Sequence, residues 1–171
     1  KNYTLQPRTL SKLEKQYGRD FLLAVGRYVP YKGFMYLIKA MALVKGQTRL
    51  YIVGAGKLEA QYRRLIRDLQ LEQKVSLVPS PEFGSLKAFF ALSKIFIFPS
   101  ISNNEAFGLV QLEAMLFGKP VISSDLPTGV TFVNKHQVTG LVVEKKNIHA
   151  LAQAIQLLLE DAKLYKKLSV H

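Results

Sequence analysis

Six short apolar runs, separated by helix-forming stretches, restrict this chain to one broad architecture. Residues 21–25 (FLLAV), 50–53 (LYIV), 75–78 (VSLV), 95–98 (IFIF), 121–122 and 141–143 are too short for buried helices and are bounded by polar residues, Gly or Pro. Such runs fit strands covered on both faces. Helical patterns fall between them at 34–45, 58–70, 85–93, 107–117 and 130–135, followed by 148–159 and a last stretch from Asp161. Strictly alternating elements of this kind predict an α/β fold: a doubly wound parallel sheet of about six strands with helices on both faces. Residues 1–8 read as a linker and 9–17 as a short outlying helix, so 1–20 are expected to stand apart from a domain spanning 21–171.

The 171 residues suffice for one full core, and the 49% hydrophobic content is that of an ordinary globular protein. With no cysteine, disulfides and thiolate metal sites are excluded. No apolar run approaches the ~20 residues of a membrane-spanning helix. The start at Lys1-Asn2-Tyr3 and the end at Leu168-Ser169-Val170-His171 both suggest a piece of a longer protein. Twenty-four Lys and Arg against twelve Asp and Glu give a net charge of +12. Nucleic acid, an anionic membrane surface or a phosphorylated small molecule would each suit that charge. The basic residues are dispersed, with pairs only at Arg63-Arg64, Lys145-Lys146 and Lys166-Lys167, and there is no aromatic RNA-binding signature. Sequence-specific nucleic-acid reading is therefore not expected. His136, His149 and His171 lack metal-ligand spacing.

Ligands of doubly wound sheets bind at the carboxyl ends of the strands. After the first strand comes 26–33, GRYVPYKG, with Gly26 and Gly33 bracketing Arg27 and Lys32. Two converging cations would suit a diphosphate, although an exposed basic loop has the same composition. After the second strand, Gly54-Ala55-Gly56 is either a tight turn or a backbone surface for a ligand. After the fourth, 99–108 leads into a helix whose first amides would favour an anion. Glu105 lies there too and could simply complement that helix dipole. Phe107-Gly108 points further, because Gly early in a helix is tolerated where a ligand needs close approach. On that helix Glu113 shares a face with Leu109, Val110, Leu116 and Phe117. A carboxylate in an apolar stripe needs donors, supplied either by another backbone segment or by a ligand's hydroxyls.

In this order and spacing the motifs resemble the donor-binding half of retaining glycosyltransferases of family 4. They are E-x7-E (Glu105, Glu113) within EAFGLVQLEAM, G-R-x4-K-G (Gly26, Arg27, Lys32, Gly33), V-G-x-G (Val53 to Gly56) and FPS (Phe98 to Ser100). Those enzymes have the two-domain GT-B fold, each half a Rossmann-like sheet. The match runs from about Phe21 onward, and the loop Leu126-Pro127-Thr128-Gly129-Val130 is similar to loops of bacterial polysaccharide mannosyltransferases. The resemblance implies a hexosyltransferase using a nucleoside-diphosphate sugar, GDP-mannose ahead of UDP-sugars, with no metal or other cofactor. It implies catalytic roles for Arg27 and Lys32 on the diphosphate and Glu105 on the donor sugar. Glu113 would hold the ribose, and Gly26, Gly33, Gly54, Gly56, Ala106, Phe107, Gly108 and Leu109 would line the donor. The acceptor, a glycan or lipid-linked sugar, would bind through an N-terminal domain that this chain does not carry. A cytoplasmic location is implied, with contact at the anionic inner membrane surface.

The chain departs from the family after the third strand, where Val78-Pro79-Ser80-Pro81 replaces the usual glycine turn. Two prolines remove backbone donors from the place where the base is expected. Rival readings are a glycogen or starch synthase-like transferase, a nucleotide-binding module without catalysis, and a basic nucleic-acid-binding domain that rests on charge alone.

Overall fold

A computed structural model describes residues 5–80 and 83–169. All six expected strands are present: β1 (Phe21–Val25), β2 (Leu50–Val53), β3 (Val75–Val78), β4 (Ser93–Phe98), β5 (Val121–Ser124) and β6 (Gly140–Val143). Every pairing is parallel, and the order across the sheet is β3-β2-β1-β4-β5-β6. The helices are α1 (Pro7–Tyr17), α2 (Phe34–Met41), α3 (Glu59–Asp68), α4 (Phe83–Leu92), α5 (Val110–Leu116), α6 (Gly129–Val133), α7 (Ile148–Glu160) and α8 (Ala162–Leu168).

Successive strand residues point to opposite faces, so each run feeds two cores. Leu22, Ala24, Leu50, Ile52, Ile95, Ile97, Ile122 and Leu141 pack against α2, α3, α7 and α8. Phe21, Leu23, Tyr51, Val53, Phe96, Phe98 and Val121 pack against α1, α4, α5 and α6. Burial on both sides explains why the strand sequences show no polar alternation.

Helix α1 is not outlying. Leu13 is buried in the second core, and the Tyr17 ring lies 5.1 Å from that of Tyr51 and 5.0 Å from that of Phe89. The Tyr51 hydroxyl also donates to the Tyr17 carbonyl at 3.1 Å. The mixed sequence PRTLSKLEKQY hides this, since one apolar stripe of a surface helix is enough to dock it. Helix α2 ends at Met41, short of residue 45, and α5 begins at Val110, not near Phe107.

The connection leaving β1 runs to β2 on one side, while that leaving β4 runs to β5 on the other. The connections after β1 and β4 therefore leave to opposite sides, and the carboxyl ends of these two strands mark the usual ligand crevice of an open α/β sheet.

Candidate active site

The loop after β1 is anchored from below by Tyr28. Its ring is buried against Phe34 and Tyr62, and its hydroxyl donates to the Ile52 carbonyl at 2.8 Å. Burial pushes the Tyr28 phenol up from its ordinary value, which keeps it a neutral donor. Residues Pro30–Lys32 then form a 3-10 turn that ends at Gly33, with φ +69°. A Cβ on Gly33 would sit 1.9 Å from the Pro99 carbonyl oxygen, and the Ile101 amide donates to the Tyr31 carbonyl at 2.8 Å. The β1 and β4 loops are thus laced together backbone to backbone.

The same explanation covers the Gly54-Ala55-Gly56 turn. A Cβ on Gly54 would meet the Gly26 carbonyl oxygen at 1.9 Å, and one on Gly56 the Tyr28 carbonyl oxygen at 2.7 Å. The close approach these glycines permit is to the neighbouring loop of the chain itself. At Gly26, φ +155°, a side chain would press on the Lys32 stem.

That stem carries Lys32 into the crevice. Its Nζ lies 2.5 Å from Glu105 Oε2, with both side chains only 13% exposed, and the Ser100 hydroxyl donates to the same oxygen at 3.0 Å. The ammonium also lies 5.1 Å from the Phe98 ring centroid and 5.5 Å from that of Tyr31. Arg27 is exposed and donates to the Tyr31 hydroxyl at 3.1 Å. The two cations and Glu105, read from separate motifs, therefore gather at one mouth. Glu105 is not a helix cap: its carboxylate turns to Lys32, and the position before α5 is Leu109, which makes no side-chain cap bond.

Between Glu105 and α5 the chain is irregular. Gly108 adopts φ +61°, and a Cβ there would lie 2.5 Å from the Phe98 ring. Packing on that ring, rather than ligand approach, accounts for this glycine. Among the described residues, the amides of Phe107, Gly108 and Leu109 donate to no backbone carbonyl. Phe107 leans over Gly129 at the start of α6, where a Cβ would come within 2.3 Å of its ring.

The apolar stripe expected around Glu113 is only half buried: Val110 and Phe117 pack against the core, but the two leucines do not. Leu109 is 68% and Leu116 63% exposed, and the buried face of α5 carries Gln111 and Ala114. Glu113 is half-buried at the edge of an open face, and its carboxylate has no ion-pair partner among the described residues. Its place on α5 above the β4 end leaves it available to a ligand without the desolvation first invoked for it.

Two buried amides escaped the sequence reading. Gln111 donates to the Phe107 carbonyl at 3.1 Å and so ties the amide-rich loop to α5. Asn134 donates to the carbonyls of Val121 and Leu141 and to the Ser123 hydroxyl, and accepts from Thr139. Gln111 lies among the unspecified positions of E-x7-E and Asn134 just after α6, so neither belongs to the defining residues of a motif. His136 Nδ1 accepts from the Val142 amide, His149 is exposed, and His171 and Pro81 lie outside the described residues. Among the described residues no three His, Asp or Glu side chains gather as a metal site.

A six-stranded parallel sheet with this order and helices on both faces is the Rossmann-like sheet of a GT-B fold. The chain belongs to the family described as glycosyl transferases group 1, whose model matches residues 6–170. It is 36% identical over 151 residues to the D-rhamnosyltransferase WbpZ of Pseudomonas aeruginosa, covering 88% of this chain and 39% of that protein. It is 33% identical to the O-antigen chain mannosyltransferase C of Escherichia coli, covering 81% and 36%. Among solved structures, Anabaena HepE in complex with UDP-glucose superposes with a TM-score of 0.86 at 26% identity, covering 98% of this chain and 47% of that one. The chain spans less than half the length of these relatives.

Proposed function

We propose that this chain is the donor-binding half of a retaining glycosyltransferase. It would move a hexose from a nucleoside-diphosphate sugar, GDP-mannose ahead of UDP-sugars, to a glycan or lipid-linked acceptor. The observation that carries the reading is the Lys32–Glu105 pair in the β1/β4 crevice, with Arg27 at its rim. In this reading Arg27, Lys32 and the free amides of the Phe107 to Leu109 stretch hold the diphosphate. As the glycosidic bond breaks, negative charge grows on that group, and preplaced donors stabilise it without rearranging. The cations take the part a metal would otherwise play. Glu105 accepts from sugar hydroxyls and Glu113 from the ribose. Attack comes from the face the diphosphate leaves, which retains the anomeric configuration. The acceptor half belongs to the portion of the relatives that this chain does not match. GDP-mannose is favoured by the Leu126 to Val130 loop and by the O-antigen mannosyltransferases of Escherichia coli and Salmonella typhimurium among the relatives. UDP, held by HepE, is the natural competitor. A cytoplasmic site with contact at an anionic membrane face fits the net charge of +12.

A ligand that binds only the folded state stabilises it by about 2.7 kcal/mol at a hundredfold excess over Kd. With chelator present, GDP or UDP is expected to raise the melting temperature of this chain more than the matching nucleoside. The ordering of GDP, UDP and ADP identifies the donor class. Equal melting with and without all three at millimolar ligand and low salt would exclude the reading.

Glu113→Gln is expected to weaken nucleoside diphosphate binding roughly ten- to a hundredfold, the loss of charge-assisted bonds of about 1.5–3 kcal/mol. Parent and variant are compared with the 2′-deoxyribose nucleotide. An equal loss in both on removing that hydroxyl would show that Glu113 does not touch the ribose.

A further inference from the structure

Cation and anion in the crevice satisfy one another. The ammonium proposed to hold the diphosphate is already paired with the carboxylate proposed to hold the sugar, at 2.5 Å and with little solvent between them. Ser100 adds a second donor to the same carboxylate oxygen, which fixes Glu105 toward the diphosphate position.

Consider what each ligand does to this pair. A nucleoside diphosphate brings an anion that draws Lys32 away but brings no donor for Glu105. The carboxylate is then left poorly solvated with Ser100 alone, and it faces a new negative charge. Both consequences oppose binding. A nucleoside-diphosphate sugar brings the same anion together with hydroxyls that can donate to Glu105. Lys32 exchanges a carboxylate for a phosphate, and Glu105 exchanges an ammonium for hydroxyl groups, so neither is left without a partner.

We infer that Glu105 is a specificity-determining residue that selects the sugar-bearing nucleotide over the bare nucleoside diphosphate, through its ion pair with Lys32. Resting on the donor-site reading above, this gives the carboxylate a second task. It makes the site hold the donor and reject the product, so re-formation of the Lys32–Glu105 pair helps expel the diphosphate after transfer. The free energy comes from restoring a part-buried ion pair that the intact donor had replaced.

The inference sets opposite signs for two ligands of one site. Glu105→Gln keeps the shape and removes the charge, so Lys32 is freed for phosphate. By calorimetry, the variant should bind the nucleoside diphosphate roughly two- to fivefold more tightly than the parent, as expected for one partly screened charge contact. Its affinity for the nucleoside-diphosphate sugar should stay level or fall, so the preference for the sugar-bearing ligand collapses. Glu105→Ala removes the same charge by a different route and must move the diphosphate in the same direction; melting curves establish that either variant is folded. In the parent, raising salt should narrow the gap between the two ligands.

If Glu105→Gln and Glu105→Ala weaken both ligands alike, Glu105 merely binds sugar or supports the loop, and the inference is overturned while the donor-site reading stands. If the parent binds neither ligand, both readings fall together. A tighter diphosphate with an unchanged preference would also overturn it, since selectivity would then arise elsewhere.

Discussion

In the full-length protein, Lys32→Ala is expected to lower sugar transfer by about 10²–10³-fold, the cost of removing one preplaced charged donor from the group on which charge develops. Two losses add. The leaving diphosphate forfeits its most enclosed cation, and Glu105 loses its ion-pair partner in a crevice where both side chains are only 13% exposed. Binding of the bare nucleoside should hardly change, since it has no phosphate. Arg27→Ala should act in the same direction with a smaller effect, because that guanidinium is exposed and held only by the Tyr31 hydroxyl. Steady-state transfer assays with both variants check this. Near-parental turnover from Lys32→Ala would take the β1 loop out of the chemistry.

Gly33→Ala is expected to destabilise the fold strongly. The left-handed backbone at φ +69° disfavours any side chain, and the new Cβ would fall 1.9 Å from the Pro99 carbonyl oxygen. Backbone strain of about 1–3 kcal/mol and a similar overpacking term make a loss of roughly 2–6 kcal/mol. Gly46 supplies the control. It has φ +83° but nothing within 4 Å of its Cβ position, so Gly46→Ala suffers the strain alone. Urea midpoints of the two variants separate the terms. Equal losses would mean that the Gly33–Pro99 contact contributes nothing.

The sheet was legible because each strand is buried on both faces, which leaves runs such as FLLAV and IFIF with no polar interruption. Helix α5 was misread for a related reason. Of the stripe Leu109, Val110, Leu116 and Phe117, the last and Val110 pack on the core, yet Leu109 and Leu116 are exposed. Periodicity identifies an apolar face but not what covers it, so a face open in this chain looks like core. The outlying helix failed in reverse, since α1 is polar overall but docks through Leu13 and Tyr17. The candidate site residues were read from motifs at strand ends, and of these Arg27, Lys32 and Glu105 lie together. What no local pattern could give is the Lys32–Glu105 pair, whose partners are 73 residues apart. Nor could it reveal that Gly33, Gly54 and Gly56 serve the packing of one loop on the next, because glycine is the same letter whether its neighbour is a ligand or a carbonyl.

The central position of the first strand also sets how the molecule must assemble. As the chain leaves the ribosome, β1, β2 and β3 can pair side by side in the order they are made. The other edge of β1 stays bare until residues 93–98 arrive to form β4. A nascent chain halted before then presents the FLLAV edge, unpaired and apolar, to any neighbour able to add a strand. The crevice is the seam at which the two halves of the sheet join: Lys32 arrives with the first half and Glu105 with the second, just after the strand that covers the sticky edge.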